Sequence, residues 1–275
     1  MNALRAIDAW SAPHAGASVV APSGVVGSRG SSDRVLPWAS VTKICTALAT
    51  LIAVEEGSVG LDDPAGPDGS TVRHLLSHAS GLGPDDPARP LASPATRRIY
   101  SNAGFEVLAG HVARRTGMAF SRYLELGVLE PLAMTTARLE GSPAAGLVGT
   151  LADLEKLAGE LLTPTLCAPE TLALARSVTF PGLVGVLPGF GRQEPCDWGL
   201  GFDLKTTKSP YWMGRHNSPE SFGHFGQTGT FLWIDPIANL ACGVLTDRPF
   251  GEWAVTAWPP FNDDVLDEFA DAGVG

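Results

Sequence analysis

Charged residues, cysteines and long apolar runs are all scarce in this sequence, and each scarcity excludes a class of function. Only 17% of the 275 residues are charged and the net charge is −10, which argues against binding to nucleic acids or to anionic membranes. The four cysteines show neither a metal-ligand spacing nor a dense disulfide framework. No apolar run reaches the length of a membrane span.

The first ten residues also lack the pattern of a signal peptide, because Arg5 and Asp8 interrupt any apolar stretch. We therefore expect a cytoplasmic protein. With 44% apolar residues, the chain is able to bury a large core, as one domain or as two intertwined lobes. The sequence leaves the oligomeric state open.

Lysine is rare as well, and one of the four lysines has an informative neighbour. Ser40 precedes Lys43 by three residues at the start of an apolar run, 44–54. A buried helix would place the hydroxyl and the amine on one face of one turn. Burial lowers the pKa of an amine, so Lys43 becomes a candidate base for a nucleophilic Ser40. The alternative is that Ser40 only caps the helix.

Two further segments carry polar groups in patterns that suit a site. Tyr100-Ser101-Asn102 precedes a periodic apolar stretch that ends at Gly117, which predicts a loop entering a helix. Asn102 belongs either to a site or to the helix cap. His224-Phe225-Gly226 lies in a segment that predicts a strand, a tight glycine turn and a second strand.

In this order, the three motifs resemble the active-site set of the penicillin-recognising serine hydrolases. The nearest branch is the class C β-lactamase group, with its related esterases, D-aminopeptidases and DD-peptidases. Further segments resemble the family in the same order: 71–82, Pro131-Leu-Ala-Met134, Gly149-Thr-Leu-Ala-Asp153, 197–202 and Leu245-Thr-Asp-Arg248.

Periodicity and resemblance together predict an α+β protein of the β-lactamase/transpeptidase-like fold. Its antiparallel sheet is flanked by helices, and an all-α lobe is inserted. Residues 1–57 and 176–275 are expected to form the sheet lobe and 58–175 the helical lobe, with the active site between them. The pattern predicts two strands within 17–29, strands at 199–204, 221–226, 229–234 and 240–246, and a last helix over 252–272 that Pro259-Pro260 interrupts.

The resemblance implies a role for each motif residue of a cofactor-free, metal-free enzyme. Ser40 would attack a carbonyl and form an acyl-enzyme, and either Lys43 or Tyr100 would take its proton. Asn102 would contact the substrate amide or Lys43. The backbone N–H groups of Ser40 and Gln227 would form the oxyanion hole, and Gly226 would let the substrate lie close to the strand.

Departures from the family pattern bear on the substrate. His224 stands where lactamases of this type carry lysine, and Phe225 stands where they carry a hydroxyl. The carboxylate of a β-lactam would therefore meet an imidazole that is at best partly protonated and a ring without a hydrogen-bond donor. We expect hydrolysis of a small ester or amide, with esters favoured. The alternatives are a β-lactamase, a DD-peptidase or D-aminopeptidase, an acyltransferase, and a non-catalytic binding or sensor module of the same fold.

Two histidines outside these motifs also have a suggestive spacing. His74 and His78 are four residues apart, which is half of a zinc site. The glutamate of His-Glu-x-x-His is missing and no third ligand is evident. We therefore expect a structural pair that bonds to the backbone.

Overall fold

The computed structural model describes residues 2–274 and is built around an antiparallel sheet. The strands are β1 (Ala15–Ala21), β2 (Gly24–Gly30), β3 (Leu36–Pro37), β4 (Arg138–Leu139), β5 (Leu147–Gly149), β6 (Gly185–Leu187), β7 (Gly191–Gln193), β8 (Asp203–Leu204), β9 (Phe222–Gly226), β10 (Thr230–Asp235) and β11 (Leu240–Thr246). Six of them form the main sheet in the order β2-β1-β11-β10-β9-β8, and β3, β5 and β4 form a small second sheet. β6 and β7 form a separate hairpin.

Within residues 2–274, seven α-helices surround the sheet, and local sequence signals set several of their ends. They are α1 (Thr42–Glu55), α2 (Val72–Leu76), α3 (Asn102–Thr116), α4 (Phe120–Leu124), α5 (Leu151–Leu162), α6 (Pro169–Ala175) and α7 (Glu252–Phe269). The Ser101 side chain caps α3, and Gly117 ends it with a φ of 70°. Thr150 and Asp153 form the capping box that begins α5.

Both faces of the main sheet are covered, and side chains of the central strands alternate between two apolar cores. Leu232 and Ile234 of β10 point toward the core that contains α1, α3 and α5. Phe231 and Trp233 of the same strand point toward the core formed with α7. This alternation follows from the two-residue period of a strand and explains why the central strands are apolar throughout.

The predicted α+β fold is confirmed, and so are most of the predicted strands. The hairpin within 17–29 forms as β1 and β2, and the predicted strands at 221–226, 229–234 and 240–246 correspond to β9, β10 and β11. The prediction of a strand over 199–204 is wrong for residues 199–202. Gly201 has a φ of 90° and packs closely on Ala47 of α1, so the chain turns there and only β8 pairs.

The predicted interruption of the last helix is also wrong, because α7 runs through Pro259 and Pro260. Each proline removes a helical N–H donor. Trp258 and Phe261, which flank the pair, are buried in the core beneath the sheet, and this packing holds the helix together.

The division into two lobes stays a prediction. Within the segment predicted as helical lobe, α5 packs directly on β1, β10 and β11 of the main sheet. Within residues 2–274, no helix combines the length and the apolar character that crossing a membrane requires.

Candidate active site

A cavity of 210 Å³ opens where the start of α1, the start of α3 and the end of β9 meet. Every residue that the sequence motifs single out, except Lys43 and Gly226, lines it directly. The lining residues are Ser40, Tyr100, Asn102, Leu187, Pro188, Trp198, His224, Phe225 and Gln227. Gly226 lies between two of these residues, and Lys43 lies one turn behind Ser40. The structure therefore brings all three motifs together.

Ser40 lies in a single 3₁₀ turn, Ala39–Val41, that leads into α1. This placement keeps the predicted spacing, and Lys43 Nζ lies 3.4 Å from Ser40 Oγ. The Ser40 side chain does not cap α1, so the capping alternative has no support. The hydroxyl is left at the cavity.

Lys43 is fully buried, and its three hydrogen-bond acceptors are all uncharged. Besides Ser40 Oγ, its ammonium group donates to Asn102 Oδ1 at 2.7 Å and to the Ala144 carbonyl at 2.8 Å. Burial lowers the pKa of Lys43 to about 7, although the carboxylates of Asp85 and Glu106 act in the opposite direction. An amine with such a pKa is partly unprotonated at neutral pH and able to accept a proton.

Asn102 is held on both sides of its amide. Its Oδ1 accepts from Lys43, and its Nδ2 donates to Asp85 Oδ1 at 3.0 Å. Because Ser101 supplies the cap of α3, Asn102 is free to make these contacts. Asp85 and Ala144 are site residues that the sequence analysis missed, since both lie in loops without a recognisable motif.

Tyr100 is half-buried beside Lys43, whose Nζ lies 4.7 Å from the centre of its ring, and its phenol oxygen is enclosed. The phenol oxygen has no hydrogen-bond partner of good geometry within residues 2–274. Burial raises the pKa of Tyr100 well above its usual value, and the Ser40 hydroxyl offsets this only partly. The phenol is therefore neutral at ordinary pH, whereas Lys43 is the group that releases its proton near neutrality.

His224 is an uncharged wall of the cavity. Its Nδ1 lies 2.7 Å from the Phe225 carbonyl, and because a carbonyl only accepts, Nδ1 carries the proton. Burial, reinforced by the charge of Lys43, lowers the pKa of His224 to about 3. Its Nε2 therefore presents a lone pair, and it has no partner in the described part of the chain.

Phe225 lies at the cavity through its place in β9, but its ring packs away from it. The ring lies among Trp212, Phe250 and Trp258 on the α7 side of the sheet. The side chains of His224 and Phe225 therefore offer no hydrogen-bond donor to a carboxylate bound in the cavity.

The end of β9 approaches the 3₁₀ turn of Ser40 closely enough to exclude a side chain. A Cβ added to Gly226 would lie 3.1 Å from Ser40 N and 2.7 Å from the Trp38 carbonyl. Glycine is therefore required at this position, and Gln227, the next residue, lines the same cavity as Ser40. The oxyanion hole of the Ser40 and Gln227 N–H groups stays a prediction, and two such donors would stabilise an oxyanion.

The two histidines bond to the backbone, as expected, and His78 lies two residues beyond the end of α2. His74 Nδ1 accepts from the Thr71 N–H at 3.2 Å, and His78 Nδ1 accepts from the Ser101 N–H at 3.1 Å. His78 also packs on the ring of Tyr100. The sequence analysis missed this contact, and it missed Trp198, Leu187 and Pro188 as walls of the cavity.

Comparison with known proteins agrees with this geometry. The beta-lactamase family model matches residues 10–266. The chain is similar to a solved β-lactamase from Mycobacterium bovis, with 52% identity, a TM-score of 0.96 and coverage of 98% of this chain and 99% of that one. Simvastatin synthase from Aspergillus terreus shares the fold at 17% identity, with a TM-score of 0.77 over 98% of this chain and 93% of that one.

Two curated bacterial proteins match part of the chain. Penicillin-binding protein 4* from Bacillus subtilis is 28% identical over 39% of this chain, and AmpH, a D-alanyl-D-alanine carboxypeptidase/endopeptidase from Escherichia coli, is 26% identical over 40%. The matched part spans 31% and 38% of their lengths. The family match over most of the sequence and the full-length likeness to a solved member lead to one conclusion: the chain belongs to the beta-lactamase family of serine hydrolases.

Proposed function

We propose that this protein hydrolyses small, uncharged esters through an acyl-enzyme on Ser40. The observation that carries the proposal is the position of Lys43, which is buried 3.4 Å from Ser40 Oγ and bonded only to uncharged acceptors. A hydroxyl becomes a good nucleophile when such a base takes its proton.

The reaction follows from the position of each group. Lys43 takes the Ser40 proton, directly or across the neutral phenol of Tyr100, while Oγ forms a bond to the ester carbonyl carbon. The carbonyl oxygen, now negative, lies between the N–H groups of Ser40 and Gln227. When the bond to the leaving oxygen breaks, the same proton returns to that oxygen. Water then repeats the sequence and releases the acid.

The cavity favours a neutral substrate over a β-lactam. Leu187, Pro188 and Trp198 are apolar walls, and the neutral His224 presents an acceptor instead of a donor. A carboxylate placed against this wall would lose its hydration without gaining a partner, which is costly. Asn102 is already bonded to Lys43 and Asp85, so its role is to hold the base.

Steady-state kinetics test this choice. We expect kcat/KM for p-nitrophenyl acetate or butyrate to exceed that for a chromogenic cephalosporin by about 100-fold or more. His224→Lys should improve cephalosporin hydrolysis, whereas the neutral control His224→Gln should not. Phe225 is left unchanged because its ring belongs to the core.

β-Lactam hydrolysis is the second candidate function, and one observation favours it. The solved protein that is 52% identical over 98% of this chain carries the name β-lactamase. Efficient cephalosporin hydrolysis without measurable esterase activity would replace the first proposal with this one. A long-lived adduct on Ser40 in the intact mass would instead indicate a sensor, and transfer to an added alcohol would indicate an acyltransferase.

A further inference from the structure

A second, larger cavity adjoins the one that holds Ser40. Its volume is 570 Å³, and it lies between the loop that begins at Pro84, the segment 97–100 and the β6–β7 hairpin. Six of its lining residues are apolar: Pro84, Leu91, Ile99, Val184, Val186 and Pro188. Tyr100 and Pro188 line both cavities, so we name the larger one the Tyr100 groove.

The Tyr100 groove exposes apolar side chains to solvent. Val186 is 67% exposed and Leu91 is 49% exposed. Three arginines also line it, and all have partners. The buried guanidinium of Arg98 donates to the Cys196 and Thr179 carbonyls at 3.0 and 2.8 Å. Arg97 donates to the Leu91 carbonyl at 3.1 Å, and Arg192 pairs with Glu194 at 2.9 Å. An occupant of this groove is therefore recognised by apolar contact.

The direction in which the leaving group departs indicates which portion of the ester, acyl or alcohol, lies in this groove. In the proposed mechanism the Ser40 proton returns to the leaving oxygen from Lys43, directly or across the Tyr100 phenol. Because Tyr100 lies beside Lys43, either route has the leaving oxygen depart on the side of Tyr100. The groove begins at that residue. We propose that the Tyr100 groove binds the alcohol portion of the substrate and that this portion is an apolar chain or ring. This inference rests on the proposed esterase function.

Alkyl acetates test the assignment, because ethyl to octyl acetate share one acyl-enzyme and nearly one leaving-group pKa. We expect kcat/KM to rise by up to about fourfold for each added methylene until the groove is filled, as burial of a methylene predicts. The reverse series, from ethyl acetate to ethyl octanoate, should rise much less. An equal or steeper rise with the acyl chain would overturn the assignment.

A pair of matched variants tests whether the dependence of kcat/KM on alcohol length arises in the Tyr100 groove. Val186→Asp places a carboxylate in the groove and should lower kcat/KM for octyl acetate by about tenfold or more, leaving ethyl acetate within about twofold. Ile237→Asp is the control, because Ile237 is equally exposed at 68% and lines a different cavity. If both variants affect octyl acetate alike, the groove does not bind the alcohol.

Binding of 1-octanol, followed by saturation-transfer NMR, separates this inference from the proposed function. Octanol that binds the wild type and Ile237→Asp, but not Val186→Asp, supports the groove even if no ester is hydrolysed, and the absence of hydrolysis then refutes the esterase proposal alone. Octanol binding that Val186→Asp leaves unchanged would refute the groove.

A different observation supports a second inference, about His78. This residue is 1% exposed and accepts hydrogen bonds from the backbone on both sides of Tyr100. Its carbonyl accepts from the Ile99 N–H at 3.0 Å, and its Nδ1 accepts from the Ser101 N–H at 3.1 Å. Its ring centre lies 4.5 Å from that of Tyr100. We infer that His78 is a positioning residue that holds the phenol beside Ser40.

Substitutions that keep the backbone conformation test this role. His78 has a φ of 56°, which glycine and asparagine both tolerate. His78→Gly removes the acceptor and the ring, and we expect it to lower kcat for p-nitrophenyl acetate by about 100-fold with KM within about twofold. His78→Asn restores an acceptor near Nδ1 and should recover at least about tenfold of that loss.

Melting temperatures of both variants show whether they fold, and kcat is corrected for the folded fraction. If the two variants lose kcat equally, or if His78→Gly keeps the wild-type kcat, His78 does not position Tyr100. A rise in KM with unchanged kcat would also refute the inference, because it would place His78 in substrate binding.

Discussion

Lys43 and Lys208 are both fully buried at their side chains, yet their ammonium groups meet different partners. Lys208 lies on the carboxylate of Asp203 and also donates to the Asp197 carbonyl at 2.6 Å. Lys43 meets only the hydroxyl of Ser40, the amide oxygen of Asn102 and the Ala144 carbonyl. Lys208 forms a buried ion pair, whereas Lys43 has no counter-ion in direct contact among residues 2–274.

The difference shows how one fold uses the same residue in two ways. A carboxylate in contact compensates the cost of burying an ammonium group, so such a pair serves the structure. Where the acceptors are uncharged, burial favours the neutral amine, and the pKa of Lys43 falls to about 7. The pair of Lys208 and Asp203 also supports the site, because Lys208 Nζ lies 5.5 Å from the ring centre of Trp198.

The largest expected contrast between the two lysines is in activity. Lys43→Met should lower kcat/KM for p-nitrophenyl acetate by about 10⁴-fold or more, because Ser40 loses its base. Lys208→Met, corrected for the folded fraction, should stay within about tenfold of the wild type. The double variant Ser40→Ala/Lys43→Met should lose little more than the worse single variant, since the two residues act as a unit. Independent, multiplicative losses would contradict the mechanism.

Stability should show the opposite contrast. Lys208→Met leaves the buried carboxylate of Asp203 without its partner, so we expect the free energy of unfolding to fall by about 3–5 kcal/mol. Lys43→Met removes the donor from three acceptors that are all neutral, and it should cost about 1–3 kcal/mol. Urea denaturation measures both. Adding Asp203→Asn to Lys208→Met should recover part of the loss, and a larger loss in Lys43→Met would reverse the comparison.

The pH dependence of stability sharpens the same comparison. The pKa of Lys43 is about 7 in the folded protein and 10.5 in an unfolded chain, so between these values the unfolded state holds one more proton. The stability of the wild type relative to Lys43→Met should therefore rise by about 1.4 kcal/mol per pH unit above pH 7. The gain is complete above pH 10.5, is lost progressively as the pH falls from 10.5 to 7, and is absent below 7. If the difference in stability between the wild type and Lys43→Met does not depend on pH, the pKa of Lys43 is not lowered by folding.

The smallest expected effect comes from the distant carboxylate of Asp85. Its charge raises the pKa of Lys43, and its Oδ1 accepts from Asn102. Asp85→Asn keeps an acceptor oxygen and removes the charge. The pKa of Lys43 should fall, and the acidic limb of the kcat/KM profile should move to lower pH by roughly a few tenths of a unit, because Asp85 is exposed and screened. A shift to higher pH would contradict this sign.

Much of the site follows from the sequence, because short-range geometry fixes its parts. A helical turn brings Ser40 and Lys43 together, and a capped helix start presents Tyr100 and Asn102. Long-range contacts lie beyond such patterns. The meeting of Asp85 with Asn102, the packing of His78 on Tyr100 and the direction of the Phe225 ring depend on how distant segments fold against each other. The last helix shows the same limit, since its core contacts outweigh two prolines.

The pH dependence of Ser40 acylation tests the central claim most directly, namely that Lys43 is the base and is neutral near pH 7. The wild type is mixed rapidly with p-nitrophenyl acetate over about two pH units on either side of neutrality, and the burst of p-nitrophenol is matched to the acyl adduct by intact mass. We predict an acylation rate that rises with pH through a midpoint near 7 and is abolished in Lys43→Met. A rate that is independent of pH in this range, or a midpoint near that of an ordinary lysine, would contradict the account.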